Sequence, residues 1–283
     1  MPDFSNFLIA ADLDGTFLSK AVQTVPRNLD ALAHFRAHGG LFTANTGRAH
    51  TTVRSSIAAP ERLFNAPASL CNGAYLYNYQ TGEFLFEEHL FPADVADILE
   101  FCRTQYPDVG LRAILREQIL VYAPKEIVRS RVYGYEQGIV VFDLPTQEWP
   151  LENWYKLVCV SVPERIVAMR RDFTAAFGGR FGVTSSSANV LEIQLPHSNK
   201  AVGLEKLRNV SPETRARTVI ACGDFENDIP MLKAADIAIC PANAMDEVKE
   251  ICDLVLCHCD EGVIADIIEN MEAGRICPKQ KSR

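Results

Sequence analysis

The sequence predicts an α/β fold: a doubly wound parallel sheet interrupted by an inserted α+β domain. Three observations predict it. Apolar runs of four or five residues recur toward both ends of the chain, each followed by a polar or acidic turn and then a helical stripe. That is the pattern of buried parallel strands linked by helices. The middle of the chain breaks this rhythm with helices set among short alternating strands. Finally, 283 residues with 48% hydrophobic and 23% charged content suit an ordinary globular protein with a large core and room for a second domain.

Taken in order, Phe7 to Ala11 is the first strand, and it ends in Asp12-Leu13-Asp14-Gly15-Thr16. In open parallel sheets ligands bind beyond the carboxyl ends of the strands. The even spacing aims both carboxylates roughly the same way, and Gly15 frees the backbone to turn. Two carboxylates so close suit a hard cation, and one of them could serve as nucleophile or acid–base group; the plain alternative is an acidic loop capping a helix. Pro26 opens a helix with Leu29, Leu32, Ala33 and Phe35 as its apolar stripe and Gly39-Gly40 at its end. Leu41 to Ala44 is the next strand and delivers Asn45-Thr46-Gly47-Arg48 to the same edge; a helix through Val53 and Ile57 follows. Ser69 to Cys71 is a short strand ending in Asn72-Gly73-Ala74. Tyr75 to Tyr77 and Phe84 to Phe86 flank Gln80-Thr81-Gly82 as a hairpin.

Residues 89–189 read as the inserted α+β domain, between core segments 1–88 and 190–283. Within it Asp94 to Tyr106 is an amphipathic helix and Glu164 to Phe177 a helix ending at Gly178-Gly179, Gly110 to Ile114 and Gln118 to Tyr122 pair as strands, and Leu157 to Val162 is a further strand. Trp149, Trp154 and Tyr155 read as core packing rather than a stacking surface. The core resumes with Val190 to Leu195 as a strand, Lys200 at the start of a helix, and the buried strand Thr218 to Cys222. That strand ends in Gly223-Asp224-Phe225-Glu226-Asn227-Asp228. Strands at Ile237 to Ile239 and Val255-Leu256, each with a helix, complete the alternation. The tail from Cys277 to Arg283 is basic and reads as frayed.

Composition excludes several roles. The net charge of -8, without a basic stripe, argues against a nucleic-acid or anionic-membrane binder. The N-terminal residues lack a signal peptide's basic start and apolar centre, and no apolar run is long enough to span a bilayer. Nine scattered cysteines read as reduced thiols, so the expected location is cytoplasmic. Cys257-His258-Cys259 lacks the spacing of a common zinc site. Oligomeric state is open.

Four features converge on one sheet edge: Asp12 with Asp14, Thr46, Lys200, and Asp224 with Asn227 and Asp228. Singly, Thr46 could cap a helix, Lys200 could be a solvated charge, and Asp224 and Asp228 could answer a helix dipole. Together they are the parts of a phosphoryl-transfer site. A divalent cation on Asp12 and Asp224 would offset the repulsion between a phosphate dianion and an anionic nucleophile. Lys200 would cover the remaining oxygens and Thr46 would donate a hydroxyl hydrogen bond.

In order, Asp12-Leu13-Asp14-Gly15-Thr16, Thr46-Gly47-Arg48, Lys200 and Gly223-Asp224-Phe225-Glu226-Asn227-Asp228 resemble the four motifs of the haloacid dehalogenase superfamily. Asn72-Gly73-Ala74, Leu191-Glu192-Ile193 and Glu261-Gly262-Val263 resemble its Cof-type sugar-phosphatase branch, which carries a large α/β cap between the second and third motifs. One departure is Pro196-His197-Ser198-Asn199, where the branch has a glycine-containing turn. The resemblance implies a Rossmann-like core with a cap, and a phosphatase for small phosphorylated metabolites such as sugar phosphates. In it Asp12 forms an aspartyl-phosphate and Asp14 serves as acid and then base. Mg²⁺ is implied on the side chains of Asp12 and Asp224 and the carbonyl of Asp14, with Asp228 binding it directly or through water. Thr46, Gly47, Lys200 and Asn227 are implied at the phosphate, and Arg48 and Asn72 at the rest of the substrate. A phosphomutase would share this core chemistry, and a non-enzymatic phospho-acceptor would share the sheet, acidic residues and lysine.

Overall fold

The structure, a computed structural model, describes residues 2–124 and 141–277; the basic tail beyond Cys277 lies outside them. Two compact units make up the chain: the described residues of Met1–Phe86 and Asn199–Arg283 form one, and those of Glu87–Ser198 the other. In chain order the strands begin with β1 (Phe7–Ala11), β2 (Leu41–Ala44), β3 (Ala68–Leu70), β4 (Tyr75–Asn78) and β5 (Glu83–Glu87). Next come β6 (Gly110–Leu115), β7 (Ile119–Tyr122), β8 (Val141–Asp143), β9 (Trp154–Val160), β10 (Gly182–Thr184) and β11 (Val190–Gln194). The chain returns with β12 (Thr218–Cys222), β13 (Ile237–Pro241) and β14 (Leu254–Leu256).

In the first unit a five-stranded sheet runs β14-β13-β12-β1-β2, with every neighbouring pair parallel. Every residue of β1, β2 and β13 is buried, as continuous apolar runs covered on both faces require. The helix Pro26–Ala37 starts on its proline and stops before Gly39, whose φ of +88° only glycine adopts without strain. Its buried stripe differs from the expected one. Leu29 is exposed, and Asn28 takes the inward position, donating to the Phe17 carbonyl and accepting from the Ala265 amide. β3, β4 and β5 form a small separate sheet.

The second unit is a six-stranded sheet in the order β10-β11-β9-β6-β7-β8, with the helices Pro92–Gln105 and Pro163–Phe177. Leu99, Leu111, Leu157, Ile166, Phe173 and Ile193 belong to its core. Trp149 and Trp154 are buried in that core, and their indoles donate to the carbonyls of Leu144 and Pro150. One assignment changes. Val190–Gln194 is not a core strand; it pairs antiparallel with β9 and β10, so the second unit runs on to Ser198. The reason is visible in its residues. Leu191 and Ile193 alternate with Glu192 and Gln194, the period of an antiparallel strand, not the unbroken apolar run of a parallel one.

The helix Lys200–Asn209 begins where Asn199 accepts hydrogen bonds from the amides of Ala201 and Val202, so the departing segment before Lys200 supplies its own cap. Gly203 sits mid-helix, where glycine costs about 1 kcal/mol relative to alanine. Its reason is a close approach: a Cβ there would lie 2.0 Å from Ser69 Oγ and 2.9 Å from Gly73 Cα. Gly203→Ala is therefore expected to destabilise the protein by about 1–3 kcal/mol. Gly179→Ala, at a position with nothing within 4 Å, should leave the denaturation midpoint nearly unchanged. Equal midpoints for the two variants would contradict the contact.

Candidate active site

From β1 the chain passes to β2 on one side and later returns to β12 on the other, so the winding reverses between β1 and β12. A crevice outside the carboxyl ends of the strands is expected at such a point. Asp12 follows β1 and its amide donates to the Cys222 carbonyl at 2.8 Å; Asp224 follows β12 by two residues.

Lys200 organises the site. Its ammonium is fully buried, 2.7 Å from Asp12 Oδ1 and 2.6 Å from Asp228 Oδ1. Asp228 Oδ2 accepts from the amides of Asp224 (2.9 Å) and Phe225 (3.0 Å), so both its oxygens are engaged. Gly223 leaves the room this needs, since a Cβ there would meet Asp228 Cγ at 2.4 Å. Asp224 Oδ1 accepts from the Thr16 hydroxyl at 2.7 Å. Gly15, at φ +74°, faces Asp224 so closely that a Cβ would fall 2.5 Å from Oδ2.

The electrostatics follow from this crowding. Oxygens of Asp12, Asp224 and Asp228 lie within 4.8 Å of one another. Burial pushes Asp12 up to about 7 against the pull of Lys200, with Asp228 and Asp14 adding to the rise. Burial, then the charges of Asp228 and Asp12, push Asp224 up to about 8. Burial works to depress Lys200, but the two carboxylates outweigh it and hold the ammonium above its ordinary range. Three carboxylates against one ammonium leave negative charge uncompensated, and every donor is oxygen. A hard divalent cation fits such a set. Asn227 points the same way: its Oδ1 is buried with no hydrogen-bond partner. A buried acceptor of that kind is ordinarily satisfied by water or a ligand hydroxyl.

The other expected residues fall as follows. Thr46 is buried after β2, and its hydroxyl accepts from the Arg48 amide at 3.3 Å, which leaves its own proton to donate. Gly47 lies between them in the turn. Asn72 is buried with φ +55° and accepts from Asn227 Nδ2 at 3.4 Å. Arg48 lies on Asp14: Nε donates to Oδ2 at 2.7 Å and Nη2 to Oδ1 at 2.6 Å. His258, Cys259 and Asp260 also bring ligand-type atoms within 4.8 Å. There His258 Nδ1 already accepts from the Asp260 amide, and burial pushes the Cys259 thiol up to about 11.

Sequence reasoning missed three residues. Asn45 Nδ2 donates to the Lys200 carbonyl at 2.7 Å and anchors the start of that helix. Asn243 Nδ2 donates to the Gly15 carbonyl at 2.8 Å while its Oδ1 accepts from the Cys259 amide at 2.9 Å. Beside it the Met245 amide donates to the Asp224 carbonyl, so one loop after β13 holds both acidic turns. Thr16 was quoted without a role. Asn243 follows the carboxyl end of a buried strand, the position that singled out Asp12 and Asp224, and that signal could have found it.

The family model for haloacid dehalogenase-like hydrolases matches residues 9–268, and the chain belongs to that family. Among its relatives, the 5-amino-6-(5-phospho-D-ribitylamino)uracil phosphatase YwtE of Bacillus subtilis is 26% identical, over 94% of this chain and 98% of its own. The pyridoxal phosphate phosphatase YbhA of Escherichia coli is 23% identical over 88% and 92%. The solved HAD subclass IIB sugar phosphatase BT4131 shares the fold at a TM-score of 0.81 and 19% identity, covering 94% of this chain and 98% of that one. A haloacid dehalogenase-like hydrolase from Bacteroides thetaiotaomicron gives 0.79 and 22%, over 93% and 98%. Family and relatives together make this chain a phosphatase-type enzyme.

The raised carboxyls give a signed expectation. Asp12 and Asp224 bind protons more tightly folded than unfolded, so the metal-free fold loses stability as pH climbs from the ordinary 3.8 through about 7 to 8. A cation must displace those protons. Binding of a hard divalent cation to this set is expected to tighten from pH 6 to pH 9, by about tenfold or more, and to release protons near neutrality. Calorimetry in buffers of different ionisation heat reads both, and a pH-independent affinity would contradict the assignment.

Proposed function

We propose that the chain is a Mg²⁺-dependent phosphatase of small phosphorylated metabolites, such as sugar phosphates, and that it works through an aspartyl-phosphate on Asp12. The observation that carries this reading is the buried Lys200 bridging Asp12 and Asp228 beside Asp224 at the reversal of the winding. Relatives named for a phosphoribityl compound and for pyridoxal phosphate support the substrate class. The nine cysteines are free thiols, which supports a reducing, cytoplasmic location; among the described residues no helix is long and apolar enough to cross a membrane.

In this reading an Asp12 oxygen attacks phosphorus, the bond from phosphorus to the leaving oxygen breaks, and Asp14 supplies the proton that makes it an alcohol. Asp14 then takes a proton from water as that water attacks the aspartyl-phosphate, releasing phosphate and restoring the Asp12 carboxylate. Lys200 holds Asp12 in place and offers positive charge to the phosphoryl oxygens, with the Thr46 hydroxyl and Asn227 amide beside it. Mg²⁺ on Asp12, Asp224 and the Asp14 carbonyl would neutralise charge that three carboxylates and a phosphate dianion share. Asp228, with both oxygens engaged, acts from behind, through Lys200 and the Asp224 amide. The unit Glu87–Ser198 is assigned to substrate selection.

Asp12→Asn keeps the size of the side chain but removes the attacking charge. Hydrolysis of p-nitrophenyl phosphate should fall by about 10⁴-fold or more with the thermal midpoint retained; residual activity within tenfold of the parent removes Asp12 from the role. Chelation should abolish turnover and Mg²⁺ should restore it. Full activity after exhaustive chelation would sink the metal assignment.

A further inference from the structure

We infer that Arg48 is a positioning residue for Asp14 and not a substrate contact, an inference that rests on the acid–base reading of Asp14 above. The family resemblance implies the opposite, placing Arg48 at the substrate. The geometry directs it elsewhere. Nε and Nη2 reach the two oxygens of Asp14 at 2.7 and 2.6 Å, a fork-on-fork pair. Behind it, Nη1 donates to the Thr52 carbonyl at 3.1 Å and to Ser56 Oγ at 2.8 Å. Four of the five guanidinium N–H groups are thereby committed to protein atoms.

Burial tells which partner is fixed. The Arg48 side chain is 9% exposed and that of Asp14 44%. The Arg48 backbone is also tied at both ends: its amide donates to Thr46 Oγ1, and its carbonyl accepts from the Cys71 amide. Arg48 is thus a rigid bracket, and Asp14 is the group it orients. A single contact would leave the carboxylate free to rotate about its own bond; two parallel bonds fix its plane. A proton donor gains most of its effect from being held in line with the leaving oxygen. Lysine cannot reproduce the bracket, because a point charge makes no planar fork.

The test is a double-variant cycle on the full chain with Mg²⁺. Its probes are p-nitrophenyl phosphate and phenyl phosphate, whose phenolate leaves far less readily and depends more on the proton. Asp14→Asn should slow aspartyl-phosphate formation more on phenyl phosphate than on p-nitrophenyl phosphate. Arg48→Ala should show the same split, about tenfold, with KM within about threefold on both substrates. In the Asp14→Asn background, Arg48→Ala should add less than about twofold, since it acts through a group already removed. Ser56→Ala should give a smaller split of the same sign, and Arg48→Lys one close to that of Arg48→Ala; these two carry the cycle if Arg48→Ala does not fold. A raised KM with unchanged kcat, or effects that multiply in the double variant, overturns the inference. If Asp14→Asn itself shows no split, the acid–base reading fails first and the inference falls with it.

Discussion

The site depends on one buried ammonium. Lys200 is wholly enclosed and touches a carboxylate on each side. Taking such charges from water is expensive, and removing one member of a buried pair typically costs about 3–5 kcal/mol because the other is left uncompensated. The lysine, the turns after β1 and β12 that bring Asp12 and Asp228 to it, and the helix it opens therefore depend on one another. That explains why so much of the surrounding hydrogen bonding is aimed at backbone: Asn45 on the Lys200 carbonyl, Asn243 on the Gly15 carbonyl, Met245 on the Asp224 carbonyl.

Packing serves the same end. Gly203 and Gly73 let the helix that carries Lys200 approach the turn that carries Asn72, so neither can move without the other. Cys71 and Asn72, both at positive φ, are held in a conformation that non-glycine residues avoid. Such strain persists only where the neighbours over-determine it. Here the Arg48 and Thr46 carbonyls accept the amides of those two residues.

Much of this was legible in the sequence, and the limits have a physical pattern. Buried parallel strands announce themselves as continuous apolar runs, so the ends that carry Asp12, Thr46 and Asp224 could be found by reading to where each run stops. Val190–Gln194 was misplaced because its position between two motifs outweighed its own period of two, which marks it as an antiparallel strand. Asn45 and Asn243 also stand just past buried strands but are neutral side chains that name no chemistry there, and the Ser56 anchor left no such trace. Their roles are contacts to backbone or to a side chain remote in sequence, and a lone asparagine or serine in a turn carries no periodicity. The Arg48 pair with Asp14 was not legible either, because a motif specifies which residues meet at an edge and not which of them touch.

Two carboxylates one residue apart thus receive opposite treatment. Asp12 is nearly enclosed, shares the buried lysine with Asp228, and is pushed toward protonation chiefly by its burial, against the pull of that lysine. A bound cation would favour its ionised form further. Asp14 stays partly exposed and meets a guanidinium held by the Thr52 carbonyl and the Ser56 hydroxyl. In the proposed mechanism Asp12, as nucleophile, must stay in one place through a covalent cycle, and Asp14, as acid–base group, must move a proton out and back. The strand stops at Ala11, so the two side chains beyond it are not bound to one face: one is enclosed and the other reaches the rim, and the two partners, an enclosed ammonium and a bracketed guanidinium, match those two demands.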